Sequence, residues 1–327
     1  MGGELSATDR KILAQLLCDS RQPISRIAAK ARVSKQNASS RIASLVARGS
    51  IGSFVSLIDC ERAGYSIHIF NFKLKPVPAR KERQVISELL SLGVLSLLKC
   101  EGEWGLSLSI ASEGTADLAK KSLRLHRALR GIVLSMHWAV HLGTSTVVPR
   151  AFSSAHDPPR SPVELGAQCS PERISQKDRE ILSAIASNTR ISYSDLGKRT
   201  GMPPETARYR LKSLEARRII KGYTINLGSD LEGFRHYRVF LNLSSPTEEN
   251  VRAVSSFLLS LPQVRRVTRI VSEYELMYDV RASGEREMRE ITQSVVKRFH
   301  RIMSMQTLVR IVKEYRFCCF PLERRAA

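Results

Sequence analysis

Apolar residues fall at Ile12, Leu13, Leu16 and Leu17, the rhythm of one buried helical stripe, and Ile181, Leu182 and Ile185 repeat it later in the chain. Each stripe follows a Ser-x-x-Asp segment, Ser6 to Asp9 and Ser175 to Asp178. In that arrangement the serine accepts a hydrogen bond from the helix start and the acid reaches back to it. The pattern therefore predicts first helices capped at Ser6 and Ser175. A short second helix comes next, near Ile24 to Lys30 and Ser192 to Thr200, then a brief turn, then a longer third helix from Lys35 to Arg48 and from Pro204 to Arg217. On the third helices Ala38, Ile42 and Leu45, and Ala207, Leu211 and Leu214, take the inward spacing. The segments SIGSFVSLID and IIKGYTINLG then alternate apolar and polar residues, which predicts a two-stranded wing in each copy.

Three helices of these lengths, with an apolar face on the third and a wing behind it, make a winged helix-turn-helix. The remainder of each copy reads strand, helix, strand, strand, helix, strand. In the first copy the strands are expected near Ile67 to Lys75, Val94 to Cys100, Trp104 to Ala111 and Ile132 to Leu142, with helices near Arg80 to Leu92 and Thr115 to Leu129. In the second they fall near His236 to Leu243, Gln263 to Val271, Tyr274 to Ala282 and Arg301 to Val312, with helices near Thr247 to Leu261 and Glu285 to Lys297. This order is the ferredoxin-like split βαβ, whose helices cover one face of an antiparallel sheet. The fold class is α+β.

The repetition is one of sequence as well as pattern. Ser6 and Ser175, Asp9 and Asp178, Arg21 and Arg190, Arg41 and Arg210, and Gly64 and Gly233 are each 169 positions apart. Two copies of one unit are fused. The Pro- and Ser-rich stretch between them lacks apolar periodicity and reads as a linker. The expected domains are a winged helix-turn-helix over 1–62, a ferredoxin-like domain over 63–143, the linker over 144–173, a second winged helix-turn-helix over 174–231, a second ferredoxin-like domain over 232–316 and a basic tail over 317–327.

Charge narrows the function. A net charge of +21 with pI about 10.2 far exceeds what solubility needs, and such an excess attracts polyanions by releasing their condensed counterions. Nucleic acid is the first partner it suggests. No apolar run approaches the roughly 20 residues of a spanning helix, and the N-terminal MGGELSATDRK has no signal-peptide order, so a cytoplasmic protein is expected. None of the six cysteines falls in a CxxC spacing, and they read as reduced small hydrophobes. His137 and His141 stand four apart in a predicted strand, where they share a face as structural side chains. No metal or cofactor site and no catalytic triad or phosphate loop is expected.

A recognition helix reads bases by presenting amides and guanidinium groups to the major groove, while flanking cations hold phosphates. The first copy offers Lys35, Gln36, Asn37, Ser39, Ser40 and Arg41; the second offers Glu205, Thr206, Arg208, Tyr209, Arg210 and Lys212, with Arg218 and Lys221 near the helix end and wing. Arg41 and Arg210 sit beside core positions, which leaves a salt bridge and a phosphate contact as equal readings. The two sets differ chemically. Gln36 and Asn37 suit adenine edges, Arg208 suits guanine and Glu205 accepts from cytosine, so an asymmetric operator is expected.

The run Asp9-Arg10-Lys11-Ile12-Leu13, with Arg21, Arg41-Ile42 and Leu45, and its second appearance as Asp178-Arg179-Glu180-Ile181-Leu182, with Arg190, Arg210-Leu211 and Leu214, resembles the Lrp/AsnC (feast/famine) regulators. The resemblance covers nearly the whole chain, twice. It implies double-stranded DNA as partner, sensor domains that pair through their sheets, here within one chain as a pseudo-dimer, higher homo-oligomers, and an amino-acid effector. It also implies a glycine at the helix-turn-helix turn, which Gly201 provides and Arg32 does not, so the first turn is expected to be reshaped. The sensor turns, Glu101-Gly102-Glu103-Trp104-Gly105 and Val271-Ser272-Glu273-Tyr274-Glu275, depart from the family's pattern. Two alternatives stand beside a non-enzymatic regulator. One is an architectural binder that holds DNA through charge alone. The other is a siroheme decarboxylase, an enzyme type that resembles this family; its histidine-bearing turn corresponds to Val94 to Leu98 and Val264 to Thr268, which lack histidine.

Overall fold

The computed structural model describes residues 5–148, 161–166, 170–228, 231 and 233–321. Half of the expected linker (149–160 and 167–169) and the end of the basic tail, including Arg324 and Arg325, fall outside the described residues.

The first helix-turn-helix comprises α1 (Ala7–Cys18), α2 (Ile24–Ala31) and α3 (Lys35–Ala47); the second comprises α6 (Gln176–Ser187), α7 (Tyr193–Thr200) and α8 (Pro204–Ala216). Both capping boxes form as expected: Ser6 accepts from the Asp9 amide while Asp9 accepts from Ser6, and Ser175 and Asp178 do the same. The turn after α2 is not reshaped. Arg32 takes the left-handed conformation at φ 58° and ψ 48°, beside Gly201 at 64° and 37°. The packing of α2 against α3 dictates the turn, and Arg32 carries the strain that Gly201 escapes.

The wings also depart from expectation. Each copy supplies one strand, β1 (Ile51–Ile58) or β7 (Ile220–Leu227), and the two strands pair with each other instead of folding into separate hairpins. Alternation along a strand identifies it as half-buried; it does not name the partner.

The ferredoxin-like order appears twice. The first sensor domain contains β2 (Ser66–Leu74), α4 (Ala79–Ser91), β3 (Ser96–Gly102), β4 (Leu106–Ser112), α5 (Thr115–Ala128) and β5 (Val133–Thr146), in the sheet order β5-β2-β4-β3. The second contains β8 (Arg235–Leu243), α9 (Glu248–Ser260), β9 (Val264–Val271), β10 (Leu276–Ala282), α10 (Glu285–Phe299) and β11 (Met303–Phe317), in the order β11-β8-β10-β9. Both last strands outrun their expected ends, Leu142 and Val312. A short strand, β6 (Val163–Gly166), lies within the segment expected to be linker.

The chain divides into two compact units that exchange parts of the copies. Unit 1 holds Met1–Phe54, Leu142–Glu164 and Tyr223–Val312; unit 2 holds Val55–His141, Leu165–Gly222 and Lys313–Ala327. Unit 1 therefore combines the first helix-turn-helix with the second sensor domain, whose sheet is extended beyond β9 by the end of β5. Unit 2 combines the second helix-turn-helix with the first sensor domain, extended beyond β3 by the end of β11. In unit 1 the helix-turn-helix core of Ile12, Leu13, Leu16, Ile27, Ile42 and Leu45 is completed by Ile225, Leu227 and Leu231 from the second copy. The sensor cores sit between sheet and helices: Phe70, Phe72, Leu97 and Leu108 against Leu89 and Leu125 in unit 2, and Val239, Leu241, Tyr278 and Val280 against Leu258 and Val295 in unit 1.

Candidate nucleic-acid interface

The third helix of each module buries a narrow stripe and leaves the rest to solvent. On α3 only Ala38, Ile42 and Leu45 are buried, and on α8 only Ala207, Leu211 and Leu214. Lys35, Gln36, Asn37, Ser39 and Ser40 are exposed, as are Glu205, Thr206, Arg208, Tyr209, Lys212 and Arg218. Tyr209 is 75% exposed, an unusual setting for an aromatic ring with nothing to bind.

The two helix starts are built differently. Ser34 accepts a hydrogen bond from the Asn37 amide at 3.1 Å, which caps α3 and fixes the Asn37 backbone at the N-terminal end of the exposed face. Pro203 and Pro204 begin α8 without a side-chain cap, since a proline in the first turn lacks only an N–H that would have gone unpaired.

Arg41 and Arg210 resolve toward the ion pair. Arg41 Nη1 donates to Asp9 Oδ1 at 3.1 Å and to Ser6 Oγ at 3.2 Å; Arg210 Nη1 donates to Asp178 Oδ1 at 3.0 Å and to Ser175 Oγ at 3.3 Å. The capping-box acid thus does two jobs: it caps the first helix and docks the third. Arg48 adds a second donor to Asp9 at 3.2 Å. Burial pushes the Asp9 carboxyl up, but the hydrogen bonds from Ser6, Arg41 and Arg48 outweigh it and hold the group below the usual aspartate value. Both guanidinium groups keep roughly a third of their side-chain surface open, 37% and 36%, so a phosphate can still approach them. Arg41 Nε also donates to Asn37 Oδ1 at 2.8 Å, which aims the free amide NH2 of Asn37.

In the second module Glu205 and Arg208 form an open pair at 3.6 Å, and the Arg208 guanidinium lies 5.8 Å from the Tyr193 ring centroid. An exposed pair of this kind is worth at most about 1 kcal/mol, so both groups can be released to bases. Lys221 leaves the set. Its ammonium lies 2.7 Å from Asp59, its side chain only 9% exposed, and a buried carboxylate holds it away from any groove.

Sequence reading missed the docking role of Asp9 and Asp178. The signal was present, since each acid and its arginine are separated by 32 positions in both copies. It also missed Glu172, which receives Arg62 Nε at 2.6 Å and Arg217 Nε at 2.9 Å and so anchors the C-terminal end of α8 in unit 2. The two histidines of β5 are occupied as expected of structural side chains: His137 Nδ1 lies 3.0 Å from Asn71 Nδ2, and His141 Nδ1 lies 2.6 Å from Glu61. Among the described residues no group of three or more metal-ligating side chains converges, and no helix is long and apolar enough to cross a membrane.

Comparison with known proteins agrees with this geometry. A winged helix-turn-helix DNA-binding family matches residues 5–51 and 174–221, one match per module. Among curated proteins, the "Uncharacterized HTH-type transcriptional regulator PH1916" of Pyrococcus horikoshii is 28% identical over 149 residues, which are 43% of this chain and 95% of that protein. "Regulatory protein AsnC" of Escherichia coli is 23% identical over 136 residues, 42% of this chain and 89% of that protein. Each relative is thus as long as one copy. Among solved structures, the siroheme decarboxylase NirDL matches 95% of this chain and 93% of its own, with a TM-score of 0.58 and 15% identity, which is a likeness of fold.

Proposed function

From a chain that is a tandem duplication of the Lrp/AsnC unit, we propose a sequence-specific DNA-binding transcriptional regulator whose two recognition helices read an asymmetric bipartite site. One observation carries the reading: α3 and α8 both expose the face that a groove requires, and the two faces differ in chemistry. Gln36 and Asn37 present amides suited to adenine, whereas Arg208 presents a guanidinium suited to guanine and Glu205 an acceptor suited to cytosine. Arg41, Arg210, Lys35, Lys212 and Arg218 supply phosphate contacts, and Ser39, Ser40, Thr206 and Tyr209 line the same faces. A homodimer has a twofold axis and prefers palindromes; two unlike heads in one chain do not.

Selection of sites from random duplex DNA tests this. Two unlike half-sites at fixed spacing are expected, and recovery of perfect inverted repeats overturns the asymmetry. Competition with unrelated DNA at raised salt separates the regulator from a charge-only architectural binder. Specific binding persists on its own site while charge-only binding falls alike on every sequence. An amino-acid effector at the sensor domains and assembly beyond one chain belong to the same proposal.

The fold likeness to NirDL supports one competing reading, an enzyme acting on siroheme. The curated relatives are named as regulators, and the segments Val94 to Leu98 and Val264 to Thr268 hold no histidine to meet a haem-like iron. Titration with siroheme is expected to leave its absorption spectrum unchanged.

A further inference from the structure

We infer that the C-terminal sensor domain controls the N-terminal reading head, and that β7 is the element through which it does so. Chain order alone would pair that sensor with the second head. The regulatory part of this inference rests on the DNA-binding reading above; the mechanical part does not.

Within unit 1, the C-terminal part of β7, residues 223–227, is built into the first head. Ile225 and Leu227 lie in its core, Thr224 Oγ1 donates to the Leu17 carbonyl at 2.8 Å, the Tyr223 carbonyl accepts from the Ser20 amide at 3.0 Å, and the Gly228 amide donates to the Ser50 carbonyl at 3.1 Å. The same segment is gripped by two buried arginines of the second sensor domain. Arg281 of β10 donates to the Gly228 carbonyl at 2.7 Å and the Leu227 carbonyl at 2.8 Å. Arg265 of β9 donates to Asn226 Oδ1 at 3.2 Å and to the Ile225 carbonyl. Guanidinium groups present their donors in a fixed planar fork, so each clamp sets direction as well as distance. A shift of β9 against β10 would have to drag β7 along or strand a buried cation. Dragging β7 moves the wall of the core on which α3 rests.

The clamp belongs to one copy. The register of β10 against β9 and β8 matches that of β4 against β3 and β2, and places Leu95 and Ala111 where the second sensor has Arg265 and Arg281. In unit 2 the sensor and head are joined instead by side-chain pairs such as Arg179 with Glu113 at 2.7 Å. Among the described residues, only the first head is tied to its sensor through backbone carbonyls gripped by buried guanidinium groups.

The test uses the full chain with Arg265→Lys and Arg281→Lys together, which keeps the net charge but removes the fork. Amide hydrogen exchange is expected to speed up at least tenfold at residues 225–228 and in α1 at Ile12 and Leu16, with α6 at Ile181 and Ile185 unchanged. Equal acceleration in α6, or none in α1, overturns the coupling. Should the double variant not fold, Asn226→Leu removes one clamp contact alone and is read in the same way. On DNA, Gln36→Ala with Asn37→Ala first identifies the half-site of the first head by loss of footprint protection. The lysine variant is then expected to weaken protection on that half while the other half persists; weakening of the other half instead overturns the assignment. If neither recognition helix, when altered, changes any footprint, the DNA reading has failed while the exchange result still judges the coupling.

Discussion

Four positions after helices of the two reading heads take a left-handed conformation, and the copies divide the burden between them. Gly201 and Gly49 adopt it as glycines; Arg32 and Arg218, their counterparts 169 positions away, adopt it with a Cβ at φ 58° and 59°. Arg32→Gly is therefore expected to stabilise the chain by about 1 kcal/mol, because relief of strain exceeds the entropy that glycine adds to the unfolded state. A urea midpoint that does not rise counts against this. Arg218→Gly should do the same while removing a cation from the end of α8, so its stability and its DNA affinity are expected to move in opposite directions. The glycine of the second turn was readable in the sequence. The strain at Arg32 was not, because a side chain that can accept the conformation at some cost leaves no mark of its own.

At the scale of elements, β1 and β7 show how a duplicated strand diverges once its two copies pair. In unit 2 the strands are locked by Lys221 against Asp59, which is fully buried. The counterparts in unit 1 are Gly52 and Gly228, where the backbones approach so closely that a Cβ on Gly228 would lie 1.8 Å from the Gly49 carbonyl oxygen. Gly228→Ala must push the strands apart, and a loss of about 1–3 kcal/mol is expected in denaturant titration. Lys221→Met should cost more, about 3–5 kcal/mol, because it leaves the Asp59 carboxylate buried without its partner. Equal stability of wild type and Lys221→Met would show that Asp59 finds other compensation. The alternating pattern made both strands legible and their partners illegible, since a period of two marks a face and carries no register to a distant segment.

At the scale of the whole molecule the two sensors differ in what lies beneath their likeness. The second buries a charged cluster in which Arg238 and Arg266 both bond Asp279, with His236 beside them. Burial raises the Asp279 pKa, but the Arg238 and Arg266 guanidinium groups outweigh it and hold the carboxyl far below the usual range. Burial lowers the His236 pKa well below 6.5, Arg281, Arg238 and Arg266 add to that, and Asp279 opposes them. His236 is thus neutral when folded and takes up a proton on unfolding. Its contribution is complete above about pH 6.5 and declines in acid, by up to about 1.4 kcal/mol per pH unit for one proton. His236→Ile, which copies Ile67 of the first sensor, is expected to flatten the fall in thermal stability between pH 6.5 and 5. An unchanged slope would place its origin elsewhere. The stabilisation from Asp279 follows the opposite partner of the linkage: present above its unfolded value near 3.8, it is lost only in stronger acid.

The sequence by itself determined the helices, their caps, the twofold repetition, the α+β order of strands and helices and the exposed faces of α3 and α8, because each of these is written in spacings of a few residues or in one constant offset. Tertiary structure alone decided that Asp9 docks Arg41, that Lys221 turns inward to Asp59, that β1 takes β7 as its partner, and that each compact unit joins the head of one copy to the sensor of the other. Two copies that share one order of apolar and polar positions offer each segment two partners with the same local pattern. Only the packed chain, with its reach and its buried charges satisfied, selects between them.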